Sequence, residues 1–194
     1  MRRLSSLFFS ILLFGGAVAV SAQAVHSANG RQFSITAGGM ASIFQTDFIG
    51  GFDTNGVVAQ SSNQPLYGMG AYVDVRLRRW VQFEAEGRWS RFNAFEGITQ
   101  DNYLVGPRLP VYHFWKATVY GKALGGFSKM NFGSNFGNFS GRYTDLAFGG
   151  GLDVKLTKRI SLRAVDVEYH YWPTWVNSTL SPYGASVGVS YKIF

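Results

Sequence analysis

Three ionisable residues stand at alternate positions in VQFEAEGRWSR, residues 81 to 91: Glu84, Glu86 and Arg88. In an extended chain alternate side chains share a face, so two carboxylates and a guanidinium would meet in one polar stripe. Such a stripe could handle protons or hold a polar ligand. Internal ion pairing is the preferred reading, because charge left unpaired in a small interior is very costly. The same alternation puts Asp74, Arg76, Lys122, Asp153, Lys155, Arg163, Asp166, Glu168 and Lys192 on polar faces elsewhere. With the first three they form the expected charge network.

Other chemistry finds little support. Without cysteine there is no disulfide framework, thiolate metal site or catalytic thiol. Of the three histidines, His26 lies near the amino-terminus, His113 in an expected short turn, and His170 toward the far end of an expected strand. A lipid-modifying enzyme would need a nucleophile within reach of a general base. His170 with Ser178 or Ser181, oriented by Glu168, is the one arrangement available, and an interior or interfacial histidine is the better reading. There is no histidine pair at metal-ligand spacing and no nucleotide loop, and no catalytic residue, metal or cofactor is assigned.

The elements that must position these residues read as strands. LYGMGAYVDVRL, residues 66 to 77, sets Tyr67, Met69, Ala71, Val73, Val75 and Leu77 against Gly68, Gly70, Tyr72, Asp74 and Arg76. Comparable alternation recurs to the carboxy-terminus, and with RQFSITAGGMASIF near 31 to 44 it predicts eight strands. In ISLRAVDVEYHYW the polar phase slips between Arg163 and Asp166, which predicts a β-bulge near Ala164 or Val165. Short connections are expected at 78–79, 110–116 and 157–159. Long polar loops, rich in Gly, Asn and Ser, are expected at 46–64, 92–101, 129–142 and 173–181.

MRRLSSLFFSILLFGGAVAVSAQA carries two arginines, an apolar run and an AxA site, so residues 1–24 are expected to be a cleaved export signal and 25–194 one domain. Loss of Arg2 and Arg3 would lower the net charge from +7 to +5. The remaining bases are spread singly along strands or paired in turns such as Arg78-Arg79 and Lys158-Arg159, so nucleic acid is not an expected partner. Glycine at 24 of 194 residues, an aromatic share of 16%, and mean hydropathy near zero suit packed strands with interfacial rings, not helices in lipid.

Alternation alone does not say which face points inward. Size decides it: eight strands enclose a space just filled by side chains, which suits glycine and paired charge, whereas Phe, Trp, Val and Leu suit lipid. A sheet crosses hydrocarbon only if it closes and leaves no edge. Trp80, Tyr112, Phe114, Trp115, Tyr191 and Phe194 would form one interfacial girdle at the short-turn end. Trp89, Phe127, Tyr169, Tyr171 and Trp172 would form another at the long-loop end.

Three segments carry a resemblance. GVSYKIF resembles the carboxy-terminal signal read by the outer-membrane assembly machinery, with Tyr191, Ile193 and Phe194 as its residues. YLVGPRLP and GGGLDVKLTKRISLRAVDVEYHYW resemble single-domain, OmpA-like outer-membrane proteins. The resemblance implies an all-β, eight-stranded antiparallel up-and-down transmembrane barrel in the bacterial outer membrane, without a cofactor. Expected partners are outer-membrane lipids and the assembly machinery; NFGSNFGNF at 131–139 could contact an extracellular ligand, although a solvent-facing loop is the better reading. The expected role is structural or surface-interacting. The alternatives are a narrow porin-like channel, a lipid-modifying enzyme, and a soluble barrel that would dissolve without detergent.

Overall fold

A computed structural model describes residues 33–45, 65–78, 80–92, 98–131, 140–175 and 178–194. The expected export segment, the 46–64 loop and Arg79 lie outside these residues. The described chain forms nine strands: β1 Ser34–Gln45, β2 Pro65–Arg76, β3 Gln82–Phe92, β4 Thr99–Phe114, β5 Ala117–Asn131, β6 Ser140–Lys155, β7 Ile160–Trp175, β8 Ser178–Leu180 and β9 Tyr183–Lys192. All but β8 make an eight-stranded barrel in which each strand pairs antiparallel with its neighbours and β6–β7 and β1–β9 complete the circuit. β8 is a short strand paired to the upper end of β7.

Closure explains why strands can cross lipid here, since every ladder has a partner and no edge is presented. β1 and β9 pair from Gln45↔Tyr183 to Thr36↔Lys192. Beyond the last ladder position, the backbone N–H groups of Ile193 and Phe194 both donate to the Ile35 carbonyl, at 2.8 and 3.4 Å.

The orientation is apolar outward. Along β3, Phe83 and Trp89 are exposed while Gln82, Glu84, Glu86, Arg88 and Ser90 are buried. The first girdle is in place, with Trp80, Tyr112, Phe114, Trp115, Tyr191 and Phe194 all exposed. The second contains Trp89, Phe127, Tyr169 and Tyr171 but not Trp172, which is fully buried in the lumen. Trp172 shares the inward parity of Asp166, Glu168 and His170, so the bulge that sets the phase of β7 also turns this ring inward.

That bulge is where the sequence placed it. β7 gains one residue between Arg163 and Asp166 relative to both β6 and β9. Arg163 and Asp166 therefore both face inward, although three positions separate them.

The connections differ in length from expectation. The turn expected over 110–116 shrinks to Trp115 and Lys116, because a bulge between Pro110 and Tyr112 absorbs an irregular residue and lets β4 run on to Phe114. Trp115 takes a left-handed φ of 49°, as a tight hairpin requires. The loops expected at 92–101, 129–142 and 173–181 are shorter, since β4 starts at Thr99, β5 and β6 extend to Asn131 and Ser140, and β7 and β8 occupy much of the last.

Two inward glycines make room for large rings. A Cβ at Gly38 would lie 2.5 Å from the ring of Tyr72, and one at Gly151 would lie 2.6 Å from the hydroxyl of Tyr120. Both tyrosines are buried in the lumen, where they meet the charges described next.

Candidate functional site

The middle of the lumen is an ion cluster assembled from six strands. β3 supplies Glu84, Glu86 and Arg88, β5 Lys122, and β7 Arg163, Asp166 and Glu168; β2, β4 and β6 add Asp74, Arg108 and Asp153. Each reaches inward because the pleat alternates, and the barrel is narrow enough for opposite walls to touch.

Lys122 stands at the centre. Its Nζ donates to Glu84 Oε1 at 2.9 Å, Glu86 Oε2 at 3.2 Å and Asp166 Oδ2 at 2.6 Å, and it is also paired with Glu168. The four carboxylates bring one oxygen each to within 4.8 Å of one another, a spacing that would suit a cation. The lysine ammonium is the cation they surround, so a metal ion would have to displace it.

Arginines add further partners to the carboxylates. Arg163 donates to both oxygens of Glu84, at 3.1 and 2.8 Å, and reaches Asp74 and Asp166 at 3.3 Å. Arg88 donates to Glu86 at 3.1 Å and to Glu168 at 2.5 Å. Arg108 donates to Asp153, to Asp74 at 3.4 Å and to the Gln82 side-chain Oε1 at 3.2 Å. Two guanidinium planes also lie over tyrosine faces, Arg163 over Tyr72 at 3.6 Å and Arg108 over Tyr120 at 3.7 Å. Weakly hydrated, planar guanidinium is the cation best suited to this dry, shared pairing.

Toward the loops the lumen becomes polar and then apolar. His170 is buried, with Nδ1 2.9 Å from each Asp145 oxygen and Nε2 3.2 Å from Glu168 Oε2. The Ser128 hydroxyl donates to Asp145 at 2.5 Å, and the Asn102 amide donates to Asp145 at 3.0 Å and to Ser128 at 2.8 Å. Above this layer Ile98, Met130, Tyr143, Trp172 and Leu180 form a buried apolar cluster in which Trp172 stacks on Tyr143, centroids 5.7 Å apart.

Of the twelve residues expected in the network, nine meet there: Asp74, Glu84, Glu86, Arg88, Lys122, Asp153, Arg163, Asp166 and Glu168. Arg76 is half-buried and has no ion pair among the described residues. Lys155 and Lys192 are exposed at the turn end, also without an ion pair among the described residues. They sit too near the end of the barrel to enter the lumen. Arg108, Asp145 and the aromatic partners Tyr72 and Tyr120 were not singled out as site residues. Counting alternate positions from Asn102 through Leu104 and Gly106 would have found Arg108.

His170 lies inside the lumen, on the loop side of the ion cluster. Both ring nitrogens face carboxylates, and the Ser128 hydroxyl is bonded to Asp145. The nucleophile-and-base arrangement considered for lipid chemistry is not assembled by these atoms; the Ser178 side chain lies outside the described residues and Ser181 is half-buried.

Comparison with known proteins agrees with this architecture. The family described as "Outer membrane protein beta-barrel domain" matches residues 10–192. No curated protein matches the sequence. Among solved structures, Neisserial surface protein A is similar with a TM-score of 0.57 at 12% identity, over 82% of this chain and 96% of that one. OprG from Pseudomonas aeruginosa gives 0.53 at 12% identity, over 84% and 96%. Ail, the attachment invasion locus protein of Yersinia pestis, gives 0.50 at 17% identity, over 83% and 97%. At these identities the likeness is one of fold.

Proposed function

The chain belongs to the outer membrane protein β-barrel domain family, and from that premise we propose that it is a closed scaffold that holds surface loops in the outer membrane and conducts no solute. The observation that carries this reading is the Lys122 ammonium, which stands at the centre of the midsection paired with four carboxylates from opposite walls. An ion entering the midsection would have to break pairs that are strong only because water is absent.

Surface contact is the second part of the proposal. The segments expected from the sequence to form loops at 46–64 and 129–142 would meet an extracellular ligand, and NFGSNFGNF offers aromatic and amide groups for it. The name of the Yersinia protein, an attachment locus, supports a role of this kind. The last strand, with Tyr191, Ile193 and Phe194, is the segment proposed to be read by the assembly machinery, since it must be delivered to β1 for the barrel to close.

Conductance in planar bilayers tests the scaffold reading. Protein whose migration shifts on heating, and which is therefore folded, and which co-floats with lipid vesicles is expected to be electrically silent. Steady unitary current from the same preparation would overturn the proposal in favour of a narrow channel.

A further inference from the structure

The basic residues that the sequence scatters in ones and twos converge at the short-turn end of the barrel. Lys116 ends the β4–β5 turn, Lys155 closes β6, Lys158 and Arg159 form the β6–β7 turn, and Lys192 closes β9; all five are exposed. Two backbone bonds hold these segments side by side: the Lys155 N–H donates to the Lys116 carbonyl at 2.9 Å, and the Lys192 N–H donates to the Arg159 carbonyl at 2.7 Å.

Among the described residues no Asp or Glu side chain forms an ion pair with them. Segments 77–81, 115–118, 154–160 and 191–194 contain neither Asp nor Glu. The nearest carboxylate along the chain, Asp153, is engaged by Arg108 and Arg163 inside the lumen. The lumen thus holds most of the described acids, Asp101 pairing instead with Arg91, and the bases of this rim have no Asp or Glu ion-pair partner among the described residues.

The depth of the patch identifies its partner. Trp115, 86% exposed, lies beneath the Lys116 ammonium, 5.0 Å from ring centroid to Nζ, and the Arg159 guanidinium donates to the Tyr191 hydroxyl at 2.8 Å. Aromatic rings of this kind settle at the boundary between acyl chains and headgroups. Cations attached to them lie at the level of the phosphates, where each basic side chain adds attraction to an anionic leaflet.

We infer that the corner formed by Lys116, Lys155, Lys158, Arg159 and Lys192 is a binding site for anionic phospholipid headgroups of the leaflet at the turn end. The inference rests on the membrane-embedded reading above. It is sequence-legible only in part, because the three contributing segments lie far apart in the chain and meet through the β5–β6 and β7–β9 pairings.

Native mass spectrometry of the protein folded in zwitterionic detergent tests it, comparing retention of phosphatidylglycerol and diphosphatidylglycerol with that of phosphatidylethanolamine. The anionic lipids are expected to be retained preferentially, by roughly tenfold or more, and K155Q/K158Q/R159Q/K192Q is expected to erase the preference. A control, K129Q/R142Q, removes two exposed bases at the loop end and is expected to keep it. Equal retention of all lipids by the native protein, or an undiminished preference in the fourfold variant, would overturn the assignment. So would a fourfold variant that loses binding to isolated cell-wall sacculi while keeping its lipid preference, because the rim would then serve the polymer. Heat-shifted migration separates the two readings: a protein lacking it would count against the membrane barrel itself, and a folded barrel without lipid preference counts against the headgroup site alone.

Discussion

The two faces of β3 show one strand solving opposite problems one residue apart. Phe83 looks out toward acyl chains and Glu84, its neighbour, is fully buried against Lys122 and Arg163. In a water-soluble barrel the charged set would be solvated and the apolar set would form the core. Here the apolar face needs no partner, because lipid is as apolar as any core. The charged face must be paired within the protein, because the lumen holds no bulk water at that depth. The energetic precision of the molecule therefore lies inside, and the outer face asks only for apolar character.

Breaking the pairing should cost most. Lys122→Met would leave four carboxylates facing one another, and a loss of about 3–5 kcal/mol is expected from removing one member of a buried ionic group; urea unfolding in lipid vesicles measures it. A midpoint shift of less than a tenth of the native value would show that the cluster rearranges freely. The converse test charges the outer face. Val105→Arg, at an exposed position midway along β4, is expected to cost about 2–4 kcal/mol in the same assay. An unchanged midpoint would mean that this face meets water. Smaller still is the effect of Tyr72→Leu, which keeps an apolar side chain under Arg163 but removes the ring face; about 1–2 kcal/mol is expected. If Tyr72→Phe loses as much as Tyr72→Leu, the hydroxyl and not the ring carries the effect.

The lumen itself divides in the same spirit. Its middle is ionic, whereas its loop end is closed by Trp172, Tyr143 and their apolar neighbours. The His170–Asp145–Ser128–Asn102 layer between them hands over from charge to apolar packing, an imidazole between two carboxylates being joined there by neutral hydroxyl and amide groups.

Much of this was readable in advance, and the errors have specific causes. The bulge near Ala164 was visible because two inward charges, Arg163 and Asp166, fell out of phase. Trp172 was misassigned to the girdle because a tryptophan near a strand end looks interfacial; following the phase of β7 past the bulge would have turned it inward. Lys155 and Lys192 had inward parity but lie at the barrel's end, and alternation carries no measure of depth. Arg108 was passed over because Gly106 and Pro107 interrupt the polar stripe on β4.

From its residues alone this chain determined which side chains would share a face, since alternation is a local consequence of the pleat and needs no knowledge of neighbouring strands. It also determined that the apolar face belongs to lipid, because eight strands enclose too little space for those rings. Only the tertiary structure decided which charge meets which. The carboxylates around Lys122 come from β3 and β7, and neither strand is hydrogen-bonded to β5. Their meeting depends on the stagger of every ladder around the closed barrel, a sum of registers that no single strand encodes.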